Sequence, residues 1–164
     1  MHIKYKLGWF YENAILEKKP LRTTQNKTKI RKYYDKHHDE LNQKTQEVLL
    51  EFDKCTVIDC HSFSNERYWF HKDIELPDIC IGYEKEHVDN ELVTNIKKEF
   101  SEYNVAINSP YQGSLVPTNY WQKDYRVKSV MIEINKKLYL EDDNSTKSKN
   151  FEKLKKKLEN IIIM

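Results

Sequence analysis

The sequence predicts a single α/β domain in which a sheet is sandwiched between helices. Three observations carry that prediction. Short apolar runs such as CTVID, DICIGY and NVAIN alternate with stretches whose apolar residues recur at helical spacing, and strands interleaved with helices mark an α/β sandwich. The 164 residues fit one domain, residues 1–164, with room for a real core. With 33% charged and 38% hydrophobic residues the chain is globular, neither disordered nor membranous.

Each element follows from its local pattern. Residues 1–22 read as irregular structure or a short hairpin around Leu7, Trp9 and Tyr11, ending near Pro20. From Thr24, residues Ile30, Tyr33 or Tyr34, His37, Leu41, Val48 and Phe52 recur at helical spacing, which predicts one long amphipathic helix to about residue 53. CTVID is then a strand, and Pro77 introduces a second, DICIGY. Leu92, Val93, Ile96 and Phe100 mark another helix, followed by the strand NVAIN at 104–108. SPYQGSLVPTNYW is a long loop that takes its turns from Pro and Gly. KSVMIEIN alternates with period two and is the last strand. The chain closes with a helix from Lys147 whose inward side carries Phe151, Leu154, Leu158 and Ile161.

Charge and cysteine content narrow the setting. Twenty-eight basic against twenty-six acidic side chains leave +2, too little for a broad nucleic-acid footprint. No run reaches the apolar length of a membrane span. The start, MHIKYKLGWFYENAIL, lacks the charged-then-apolar layout of a signal peptide, so the expected location is cytoplasmic. Cys55, Cys60 and Cys80 are odd in number and lie on or beside apolar strands, which reads as buried reduced thiols.

One stretch carries the chemistry. In TVIDCHSFSN, Val57 and Ile58 end an apolar run, and Asp59, Cys60, His61 and Ser62 fall where that strand leaves the sheet. Ligand crevices of open α/β sheets lie outside the carboxyl ends of strands. A Cys60–His61 nucleophilic pair is disfavoured, because adjacent strand residues point to opposite faces. A strand-end histidine on its own is most often a hydrogen-bonded structural residue.

The ordered blocks YYDKHHDEL, VIDCHSFS, PDICIGYE, VAINSPYQGSLVP and SVMIEINKKLYL together resemble the N-formylglutamate amidohydrolases. The resemblance runs from about Gly8 to the C-terminus. It implies a fold similar to the zinc carboxypeptidases and aspartoacylases, a mixed sheet flanked by helices around one catalytic zinc. The implied activity is hydrolysis of the amide of N-formyl-L-glutamate to formate and glutamate. The implied partner is a small molecule of the N-acyl amino acid class, with no nucleic acid and no membrane.

The resemblance also implies roles. Hydrolytic zinc takes three protein ligands and one water, whose pKa it lowers to about 7. A carboxylate then moves the water's proton to the leaving nitrogen. HSFS resembles the HSYS of the zinc carboxypeptidases, so His61 matches their third metal ligand, and Glu133 in MIEIN matches the general base. Asp59, two residues before His61 on the same strand face, is placed to orient that imidazole. Arg126 stands where the family carries a basic residue and is a candidate fork for a substrate carboxylate; its plain alternative is a surface arginine. Asn108 ends NVAIN and is a candidate donor to a substrate oxygen, with holding the SPYQG loop as its other reading.

Two of the family's zinc ligands have no counterpart. They belong to an N-terminal Pro-His-Ser/Gly-like turn and an acidic residue downstream, and nothing before Gly8 matches. The expectation is therefore a chain that lacks the N-terminal part, with an incomplete zinc site. His37 and Glu40 share a helix face at H-x-x-E spacing, but the resemblance expects no ligand on that helix, and His37 reads as a packed core histidine. His71 and His87 read as loop residues. The competing classes are a zinc amidohydrolase and a non-catalytic remnant or binding domain of the same fold. Sheet surface left bare by a missing segment also raises the expectation of a homodimer.

Overall fold

The first helix, α1 (Lys27–Phe52), is long but shallowly packed. Its outer side is held by turn-spaced charge pairs such as Arg31–Asp35 and Lys36–Glu40. Its fully buried residues are Asn42, Thr45 and Leu49, a narrow stripe at helical spacing. Asp53 stops the helix in the left-handed region, with φ 56°. A short link then turns the chain into β1 (Cys55–Phe63). The computed structural model describes residues 27–66 and 74–163, so the expectations for residues 1–22 and for His71 lie outside the described residues.

Three further strands complete the sheet: β2 (Ile79–Gly82), β3 (Val105–Ile107) and β4 (Val127–Asn135). The spatial order is β1-β4-β2-β3. β1 and β4 run parallel, β2 runs antiparallel to β4, and β3 runs parallel to β2, so the sheet is mixed. Helix α2 (Asn90–Glu99) starts where the Asp89 side chain accepts from the backbone N–H groups of Glu91 and Leu92. Helix α3 (Phe151–Ile162) closes the described chain.

The two faces of the sheet divide the labour. On one face Ile79, Ile81, Val130, Ile132 and Ile134 pack against Val93, Ile96 and Phe100 beside α2 and against Leu154 and Ile161 of α3. Each such buried aliphatic side chain contributes about 1.5–3 kcal/mol of transfer free energy, which makes this face the stabilising core. On the other face α1 covers only one end, where Leu49 meets Cys55, Val116 and Val127. Further along, that face carries Asp59, His61 and Glu133 beside apolar side chains such as Phe63 and Met131.

Several expectations need correction. β1 extends to Phe63, so Asp59 to Ser62 lie inside the strand rather than at its exit. Among the described residues β1 lies at one end of the sheet, and its polar run falls on and beside the face opposite the helix-covered core. Cys60 is exposed while Cys55 and Cys80 are buried; among the described residues its strand ends the sheet. His37 is exposed, and half-buried His38 stacks on Tyr34 instead, with ring centroids 4.2 Å apart; the inward stripe of α1 passes one residue later than periodicity suggested.

Candidate active site

Parallel pairing of β1 with β4 sets the site. His61 is the register partner of Glu133, and Asp59 is the partner of Met131. Neighbouring strands lie about 4.8 Å apart, and residues in register point to the same face. Ile132 and Ile134 point into the helix-covered core, so Glu133, His61 and Asp59 all stand on the opposite face.

The imidazole is oriented by its own strand. His61 Nε2 lies 2.8 Å from Asp59 Oδ1. With Nε2 engaged there, Nδ1 is the ring nitrogen that has no partner among the described residues. The Asp59 side chain is 21% exposed and that of His61 48%, so the carboxylate is sheltered while the ring reaches solvent.

Glu133 is the unusual group. Its Oε2 is buried without a hydrogen-bond partner. Burial pushes its carboxyl pKa above the ordinary glutamate range, while the nearby His61 pulls it down and Asp59 pushes it up. A desolvated carboxylate with an open acceptor is suited to taking a proton.

A loop walls the site on the β2 side. Cys80 is the register partner of Glu133 across β2, and its Sγ donates to the backbone oxygen of Tyr111 at 3.2 Å. Burial pushes that thiol's pKa up, the direction of an unreactive core cysteine. The Tyr111 ring packs on Phe63 at the end of β1, centroids 5.1 Å apart. Gly82 lets the loop close down: a Cβ there would sit 2.3 Å from the Gly113 oxygen and 2.5 Å from Met131 Cε.

Asn108 is the loop's fastener. It adopts φ 50°. Its Oδ1 accepts from the N–H of Tyr83 at 2.9 Å and of Gly113 at 3.1 Å, and its Nδ2 donates to the Tyr83 oxygen at 3.3 Å. Both ends of the amide serve the backbone, so the loop-holding reading prevails over substrate contact.

Arg126 is elsewhere. It precedes β4 at its N-terminal end, about 23 Å from Glu133 at the usual strand rise. There its guanidinium pairs with Asp124 at 2.7 Å and Asp53 at 2.6 Å. The structure therefore corrects its expected role: it ties the end of α1 to the start of β4 and does not reach the cleft. His37 and Glu40 sit on the exposed side of α1, with Glu40 3.7 Å from Lys36. His87 is fully buried, with Nδ1 2.8 Å from the Val127 oxygen and Nε2 accepting from the Gln122 N–H at 2.9 Å. It is a structural clasp rather than a free loop residue.

Sequence reasoning passed over Asn135. This fully buried side chain donates to Asn65 Oδ1 at 3.0 Å and to the Pro77 oxygen at 3.2 Å. It lies two residues after Glu133 on the same face, a period-two signal that could have found it.

The arrangement belongs to a recognisable class: an α/β domain that presents an oriented imidazole beside a desolvated carboxylate on the open face of a mixed sheet. The family model of the N-formylglutamate amidohydrolases matches residues 3–140, and the chain belongs to that family. Its fold matches the crystal structure of N-formylglutamate amidohydrolase from Ralstonia eutropha JMP134 with a TM-score of 0.73 and 24% sequence identity, over 91% of this chain and 58% of that one. The chain thus spans under two thirds of that enzyme's length. No curated protein sequence matches it.

Proposed function

We propose that the chain serves amide hydrolysis of N-formyl-L-glutamate to formate and glutamate, and that these 164 residues by themselves turn over poorly. The observation that supports this reading is the His61–Glu133 register on one open face, with Asp59 orienting the imidazole. In this reading Glu133 takes a proton from the attacking water as the C–O bond forms. It returns that proton to the nitrogen as the C–N bond breaks. The small-molecule substrate follows from the family, and no helix among the described residues is long and apolar enough to cross a membrane.

The zinc expected from the family resemblance was tested against the donor set. His61 Nδ1 is one suitable nitrogen. Among the described residues no group of three His, Cys, Asp or Glu side chains could hold a metal, whereas catalytic zinc takes three protein ligands. The described residues do not by themselves make a zinc site. The second reading is a non-catalytic binding domain of the same fold.

The test is metal content and formate release from the purified chain with zinc supplied. Substoichiometric zinc and slow formate release that Glu133→Gln abolishes are expected. One equivalent of tightly held zinc with robust turnover, both lost in His61→Ala, would overturn the proposed weakness. His37 and Glu40 would then be the first further ligands to test. Binding of N-formyl-L-glutamate at the His61 face without formate release at any zinc level would select the binding domain.

A further inference from the structure

Tyr111 is held from both sides of the cleft. His61, Glu133 and Cys80 form one register row across β1, β4 and β2. Phe63 and Asn135 form the next row toward the end of β1. Alternation puts all five side chains on the same face of the sheet. The Tyr111 backbone is anchored at β2, where its oxygen accepts from the Cys80 thiol at 3.2 Å. Its ring lies at β1, against Phe63 with centroids 5.1 Å apart. β4 stands between those two strands, which are two strand spacings or about 9.6 Å apart. Tyr111 therefore reaches across β4 at the rows of Glu133 and Asn135.

This placement gives a physical reason for the burial of Glu133. Its Oε2 is screened from solvent without accepting a hydrogen bond, and the neighbouring Cys80 thiol is turned to Tyr111 instead. The loop that carries Tyr111 is fixed in place. Asn108 holds the N–H groups of Tyr83 and Gly113, and the Gly113 oxygen fills the space above Gly82.

The two sides of the cleft differ in room. The Tyr111–Phe63 ring pair closes one end, and Phe63 is buried. His61, at β1, is 48% exposed. An N-acyl amino acid also has two unequal halves. Its carbonyl carbon must stand near Glu133, within reach of the water that this carboxylate deprotonates. The amino-acid half, bulky and charged, takes the solvent-facing side, which leaves the acyl substituent facing the ring pair. We propose that Tyr111 sets the size of the acyl group, admitting the hydrogen of a formyl group and excluding the methyl of an acetyl group. The inference rests on the hydrolytic reading for its substrate class and assigns the discrimination to one ring. One carbon more or less in such a pocket is worth about 10–200-fold.

The test compares N-formyl-L-glutamate with N-acetyl-L-glutamate on the full chain with zinc supplied. Formate and acetate release are measured, and binding of the same two compounds is read from His61 imidazole shifts by NMR. The wild type should prefer the formyl compound by about 10–200-fold. Tyr111→Ala should remove most of that preference through a gain on the acetyl compound. Tyr111→Phe should keep it, because the ring fills the space. Tyr111→Leu, which still packs on Phe63 but reaches less far, should give an intermediate preference. A wild type indifferent to the acyl group in both measurements would overturn the proposal. So would a folded Tyr111→Ala or Tyr111→Leu variant that weakens both compounds equally. A formyl preference in binding that Tyr111→Ala removes, with no formate released at any zinc level, would sink the hydrolytic reading and leave this inference standing. A wild type that neither binds nor turns over either compound would overturn both.

Discussion

Asp59 and His61 form an ion-pair-distance contact, 2.8 Å, between side chains two residues apart on one strand. Such a contact holds one ring nitrogen of His61 against the carboxylate. Asp59→Ala is expected to change the surroundings of that nitrogen, read from imidazole nitrogen shifts by NMR. Unchanged shifts would mean that another group orients the ring. If the chain hydrolyses its substrate, the same variant should lose about 10–100-fold in activity, the usual cost of removing a residue that orients a ligand.

Glu133 ties the site to stability. Burial raises its folded pKa, so over a pH window above the ordinary glutamate value the native state keeps a proton that the unfolded chain has released. The native state binds more protons there, and stability therefore falls as pH rises through the window. Glu133→Gln removes that loss. The variant should be more stable than the wild type at neutral pH, with the gap closing below the ordinary glutamate range. Denaturant melts across that span check this, and parallel profiles would show that Glu133 is well solvated.

Gly82 admits the loop that walls the cleft. Gly82→Ala would force its Cβ against the Gly113 oxygen and Met131 Cε. A backbone oxygen cannot swing away as a side chain can, so the loop must move. The expected cost is about 1–3 kcal/mol, the range for overpacking. Hydrogen exchange should quicken in residues 108–116 while the α2–α3 face keeps its protection.

His87 clasps two backbone segments from a fully buried position. His87→Ala leaves the Val127 oxygen and the Gln122 N–H without their partner and opens a cavity. Each unsatisfied buried group costs about 1–3 kcal/mol. A loss of about 3 kcal/mol or more in denaturant unfolding is therefore expected. Because the clasp sits at the opposite end of β4 from Glu133, the His61 imidazole shifts should be unchanged in the folded variant.

Much of this architecture was legible in the sequence because periodicity reports burial. The β4 strand was visible from its alternation, and α3 from Leu154 and Ile161, which are buried as expected. Asp59 and His61 interrupt the apolar pattern of β1, so the strand looks shorter in sequence than it is. A polar run breaks the apolar pattern of a strand without breaking its backbone pairing, which β1 keeps with β4 as far as Phe63. Helical spacing alone could not separate His37 from His38, since a shallowly packed helix buries a stripe barely one residue wide. Arg126 was misplaced for a different reason. Chemistry suggested a carboxylate fork, while only the direction of β4 reveals that residue 126 starts at the far end from residue 133. The partnership of His61 and Glu133 rested on family resemblance. No local pattern states that β1 and β4 are neighbours.

That neighbourhood has a consequence for how the protein is made. Cys55 pairs with Val127 and Phe63 with Asn135, so β4 reaches β1 only after the whole intervening chain exists. Contacts this distant in sequence form slowly, because the loop-closing entropy comes due before any packing offsets it. On the ribosome β1 emerges before β4, and the edge that β4 will occupy waits unpaired until β4 is synthesised. The cleft is therefore among the last parts of the molecule to exist. Conditions that slow translation between β1 and β4 should prolong the interval in which this polar, exposed strand can pair with the wrong neighbour.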